Sequence, residues 1–160
     1  MPTASDAPLR LSGSRLCEIS GVNRQTRDKW AKAGLLHKGQ DYDQVDLVEV
    51  VVLKLLLETL PKKHAKLAWT RIRAQLRDLM PGPQLTLVWD PQRSSAELVF
   101  EAEAIVSLVR HGRPVQVVDL GSEVERVRGA FHREAEATAA QNAARLSQQA
   151  SGSKARRSSS

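Results

Sequence analysis

The chain has 160 residues, 41% of them hydrophobic and 26% charged, with 24 Lys and Arg against 18 Asp and Glu for a formal net charge of +6. That length suits one ordinary domain or two small ones, and the balance excludes a disordered polyampholyte. Cys17 is the only cysteine, which excludes an intrachain disulfide and a thiolate metal cluster, while the positive charge favours a polyanionic partner.

Met1 to Pro8 reads as a flexible polar arm without the apolar stretch of a signal peptide. Leu16, Cys17 and Ile19 are spaced as the apolar side of a short helix that meets a turn at Gly21, with Cys17 a small buried hydrophobe. Asn23 is a favoured N-cap for a second helix, and Gly34 its stop. Two short helices across a Gly-containing turn form the helix-turn-helix pattern, whose second helix can enter the major groove of DNA. That helix carries Arg24, Gln25, Arg27, Lys29 and Lys32 against one acid, Asp28. Arg24 and Gln25 stand at its start, where Arg can bond guanine O6 and N7 and Gln adenine N6 and N7. Arg27 and Lys29 lie one turn further on and extend the surface, whereas Trp30 is expected in the core. A solvated charged face would have the same composition. The turn, the cap and Gly34 together favour the DNA-reading alternative.

His37 to Asp41 stands where a wing hairpin would sit. Asp43 reads as an N-cap and Asp46 as a first-turn acid suited to the helix dipole. From Gln44 to Leu60 the sequence is apolar on nearly every side, and length, cap and the stop at Pro61 favour helix over strand. Its longest apolar run, Val50 to Leu57, is interrupted by Lys54 and falls short of the ~20 residues that span a bilayer. A cytoplasmic protein is expected. A further helix, Lys62 to Met80, places Leu67, Ile72, Leu76 and Leu79 on one stripe and Lys62, Lys63, Lys66, Arg71, Arg73 and Arg77 elsewhere.

Pro81-Gly82-Pro83 marks a boundary. Beyond it Leu85, Leu87 and Trp89 alternate with Thr86 and Val88, and a turn from Asp90 to Ser95 leads to Leu98, Val99 and Phe100, which reads as a hairpin. Glu101 to His111 reads as a helix ending at Gly112, and Val115 to Leu120 as a buried strand. Ser122 with Glu125 makes a capping-box pattern for a helix through about Arg145. The order is ββαβα, with a sheet of three strands. The expected fold class is α+β, mainly α, with one domain over residues 9–80 and a smaller one over 84–134. Residues 135–160 are expected to form an Ala/Gln-rich helix and a disordered basic tail, whose Lys154, Arg156 and Arg157 read as solvated, with nonspecific phosphate contact the alternative.

Ile19-Ser20-Gly21-Val22, Thr26, Trp30 to Leu36, and Tyr42 to Leu47 resemble the winged helix-turn-helix of the MerR superfamily. They are most similar to its small members, the excisionase-like proteins and short regulators of actinobacteria and phages. The resemblance covers about Leu11 to Met80. It implies a four-helix winged fold whose second helix enters the major groove while the wing grips the backbone. The chain departs from the pattern in having Asp28 where an arginine is usual and Arg27 where an apolar residue is usual. Its wing offers only His37 and Lys38, so the basic helix with Lys62, Lys63 and Lys66 would take part of the gripping role. The long dimerising helix and effector site of MerR activators are not evident.

The expected function is sequence-specific binding of double-stranded DNA by a bacterial or phage transcription regulator, nucleoid-associated in the cytoplasm. Arg24, Gln25, Arg27 and Lys29 would face the groove, and Arg15, Lys38, Lys62 and Lys63 would meet phosphates. Two alternatives stand beside it: an excisionase-like architectural factor in recombination, and a protein-interaction adaptor without DNA affinity. Residues 84–134 hold more carboxylates than cations and have sheet edges that suit a homodimer or a protein partner. No enzyme, cofactor or metal is expected. His111 and His132 are isolated, Glu101 and Glu103 point apart on a helix, and Asp119 lacks a partner.

Overall fold

Capping chemistry sets the first three helices. In the computed structural model, which describes residues 8–78, 84–110, 112 and 114–157, helix α1 spans Gly13–Ser20. The Ser12 hydroxyl accepts from the Arg15 amide at 3.2 Å, and Gly21, at φ 76°, ends the helix with its amide on the Cys17 carbonyl. Helix α2 spans Arg24–Lys32, and the Asn23 side chain accepts from the Thr26 amide at 2.8 Å. At its end the Gly34 amide donates to the Ala31 carbonyl and the Leu35 amide to the Trp30 carbonyl, the paired bonds of a Schellman stop. Gly34 takes φ 78°, which a residue with a Cβ would occupy only under strain. Helix α3, Gln44–Thr59, opens with a full capping box: the Asp46 amide donates to Asp43 and the Asp43 amide to Asp46. Pro61 forces Leu60 into an extended conformation, and helix α4 then runs Lys62–Asp78.

The segment expected to form a wing hairpin does something else. Strand β1, Leu11–Ser12, pairs antiparallel with β2, Asp41–Tyr42, so β2 joins the residues before α1 rather than folding back on the α2 exit. Tyr42 explains this: its buried ring sits opposite buried Leu11, and its hydroxyl donates to the Gly39 carbonyl at 2.7 Å.

Strands β3, Thr86–Asp90, and β4, Ser95–Val99, form the expected hairpin, whose turn is fixed by Asp90 accepting from the Gln92 and Arg93 amides. Helix α5, Ala102–Arg110, crosses to β5, Gln116–Asp119, which pairs antiparallel with β3 to give the order β4-β3-β5. The β5 segment is less buried than expected: Val118 and Leu120 are enclosed, but Val117 is 44% exposed. Helix α6 runs Gly121–Arg157. The expected Ser122–Glu125 box does not open it; Asp119 does, accepting from the Gly121 amide at 3.0 Å and from the Ser122 hydroxyl. Helix propensity in the Ala-rich stretch carries α6 past Arg145, so residues expected as tail up to Arg157 are helical, and the chain does have a long terminal helix.

The two expected modules share one core. Buried side chains from Leu11 to Val127 form a single cluster in which α3 packs on α4 and α6, and α4 packs on β4. Leu67 is the exception to the predicted α4 stripe at 38% exposure; Ala65, Ala68, Trp69, Ile72 and Leu76 are the buried side. Leu79, the Pro81-Gly82-Pro83 boundary, His111, Ser158 to Ser160 and most of the N-terminal arm lie outside the described residues, as do the side chains of Lys154, Arg156 and Arg157. No helix among the described residues is long and apolar enough to cross a membrane.

Candidate nucleic-acid interface

Helix α2 has no fully buried residue. At 3.6 residues per turn, positions 24, 28 and 32 form one row and 25 and 29 the row beside it. Arg24, Gln25, Lys29 and Lys32 are all exposed there, with the Arg24 side chain 85% exposed. Asp28 sits within this stripe and is half-exposed, held by Arg27 Nη2 at 3.0 Å and approached by Arg24 Nε at 3.9 Å. Trp30, on the opposite side, packs partly buried against the core as expected. Lys32 lies outside the predicted groove set, although the 24-28-32 spacing carries the signal for it.

Arg27 departs from its expected place. Only 14% of its side chain is exposed, and its guanidinium lies 5.2 Å from the centre of the Tyr42 ring. The same group fills the space that a Cβ on Gly13 would need, with Nη1 at that position. An apolar residue is expected here from the resemblance, and Arg27 fills that inward position with its stem and a ring-stacked head. Its Nη1 is buried without a hydrogen-bond partner among the described residues.

The exit of α2 is clamped by α4. Trp69 Nε1 donates to the Leu35 carbonyl at 2.8 Å, and Arg73 Nη1 to the Gly34 carbonyl at 3.0 Å. Behind them lies an ionic cluster: Glu49, 1% exposed, takes Arg77 Nε at 2.8 Å and Arg73 Nε at 3.8 Å, while Arg77 also reaches Asp46. Burial pushes the Glu49 carboxyl above its ordinary value, with Arg77 and Arg73 opposing the shift, and burial moves Asp46 the same way. The Glu49 charge in turn raises the Arg77 guanidinium.

The expected phosphate contacts divide. Lys38 is exposed on the loop after α2. Arg15 is engaged by Glu134 of α6 and by Glu18, so it fastens α6 to α1 rather than standing free. Lys62 and Lys63 are exposed at the start of α4, near His64, whose ring lies 5.6 Å from Trp89 of β3. At 1.5 Å per residue they stand ~9–16 Å along the helix from the Trp69 and Arg73 clamp, so the structure does not gather them at α2. Among the described residues no group of three or more His, Cys, Asp or Glu side chains is arranged to hold a metal ion. No protein-family model matches the chain, and no curated protein matches it.

Proposed function

We propose that this protein binds double-stranded DNA sequence-specifically and regulates transcription, with α2 lying in the major groove. The observation that carries this reading is the stripe of Arg24, Gln25, Lys29 and Lys32, exposed along a helix fixed by a side-chain cap at one end and a Schellman stop at the other. A helix held that rigidly presents its side chains at fixed spacing, which direct readout of base edges requires. Lys29 and Lys32 add phosphate attraction. Self-association or a protein partner through residues 84–134, and residence at the nucleoid, belong to the same reading.

Selection of bound duplexes from a random library at ~150 mM salt tests it, because nonspecific electrostatic binding weakens steeply as salt rises. One enriched motif is expected. For that motif, Arg24→Ala with Gln25→Ala should weaken binding by roughly 30-fold or more, given about 1–3 kcal/mol for each of two good contacts. Both side chains are exposed, so the unfolding midpoint should not move. Unchanged affinity and preference in the folded double variant would sink the groove assignment. One observation favours a second reading, a protein adaptor: Asp28 places a carboxylate in the middle of the stripe. That reading expects no enriched motif.

A further inference from the structure

The opening of α1, the start of α2 and the segment before β2 enclose a cleft of about 350 Å³. Gly13 and Ser14 line it from α1, Arg24 and Arg27 from α2, and Gln40 and Tyr42 from the far side; no carboxylate is among its lining residues. Its volume is at the lower end of the roughly 300–1,000 Å³ usual for small-ligand pockets.

Its cations are arranged rather than scattered. The Tyr42 ring backs the Arg27 guanidinium at 5.2 Å, and the tyrosine is itself fixed by its bond to the Gly39 carbonyl. Asp28 holds Arg27 Nη2 at 3.0 Å, so the planar head has a set orientation. On the inner side Arg27 and Tyr42 also line a void of about 10 Å³ that they share with Asp46 and Glu49, room for about one water. Asp46 and Glu49 thus stand behind Arg27, while Asp28 touches both guanidiniums, Arg27 at 3.0 Å and Arg24 at 3.9 Å, without lining the cleft. Arg24, largely exposed, closes the outer rim. Two guanidiniums that share one carboxylate, on a cleft lined by no acid and with a hydroxyl and an amide beside them, leave a net positive charge and several donors for the acceptor oxygens of a phosphate group.

We propose that this cleft is an anion subsite that takes one phosphate group between Arg24 and Arg27. The inference rests on the DNA reading only for the source of that phosphate, the backbone beside the groove entered by α2, where Arg24 meets the phosphate and Gln25, Lys29 and Lys32 are left to the base edges. A free phosphorylated molecule is the other source.

The test follows the Arg24 and Arg27 Nε and the Ser14 amide by NMR in the full-length protein. Inorganic phosphate is titrated against chloride at constant ionic strength. Saturable shifts at these groups are expected, with about tenfold weaker binding in Arg24→Gln, whose side chain supports no part of the core. Arg27→Gln should abolish the shifts, and if it unfolds, the Arg24→Gln result decides. A short duplex that displaces phosphate from these resonances identifies the backbone as the source. Saturation by phosphate with no displacement by duplex keeps the subsite, assigns it to a free phosphate and counts against the DNA reading. No saturable shift in the folded protein overturns the subsite, whether or not duplex binds elsewhere.

Discussion

Gly13 matters for what is missing from it. Arg27 Nη1 occupies the place of an absent Cβ, so Gly13→Ala must push the guanidinium out of its seat on Tyr42. The atom displaced is the far end of a flexible side chain, and alanine is the better helix former, so stability should stay within about 0.5 kcal/mol of the parent. Phosphate affinity should drop all the same, and unchanged affinity would separate Arg27 from the cleft. Glu49 makes a prediction with a sign. Burial raises its folded pKa above the ordinary 4.5, so its contribution to stability is present below 4.5 and lost as pH rises through the folded value. Glu49→Gln, which mimics the neutral acid, should therefore match the parent in acid and be at least as stable at pH 7. Arg77→Ala leaves the Glu49 charge buried with only Arg73 near it and should cost about 2 kcal/mol at pH 7, shrinking as the carboxyl protonates. Denaturant midpoints of the three proteins across pH would check this; a cost for Arg77→Ala that ignores pH would contradict it.

Among the elements, those whose ends are written in local chemistry were the legible ones. Asn23, Asp43, Gly21 and Gly34 each act within three or four residues of themselves, and all four perform the capping or stopping roles that their types suggest. The sheet of three strands and its hairpin were legible for the same reason, through alternation and a turn. Contacts made at a distance were not. Two-residue strands such as β1 and β2 carry no period, and their pairing spans about thirty residues of chain. Arg27 looks like a groove residue until Tyr42 is placed beneath it, and Arg15 looks free until α6 arrives with Glu134. The clamp of α4 on α2 was equally hidden. Trp69→Phe keeps an aromatic ring in the core but removes the donor to the Leu35 carbonyl. A loss of about 1–2 kcal/mol is expected, read as a lower thermal midpoint.

For the whole molecule the instructive part is α6. Its first turns bury Val124 and Val127 against the common core, and Arg126 donates to the Ile19 carbonyl at 3.2 Å. From Ala139 to Ser153 every residue is exposed, and through Arg157 the helix projects ~28 Å from that point. Truncation after Thr138 should leave stability within about 0.5 kcal/mol of the parent, because every removed residue whose burial is described, Ala139 to Ser153, is exposed. Truncation before Gly121 should unfold the chain, because α1 and α3 lose the helix that covers them. Circular dichroism melts of the two truncations distinguish these outcomes.

That dependence of the first helix on the last has a consequence in time. Synthesis at ~5–20 residues per second separates the emergence of Asp78 from that of Glu134 by several seconds. Throughout that interval the apolar sides of α1 and α3 have no α6 to cover them. A slower passage through that interval should leave this apolar surface open for longer to chaperones and proteases.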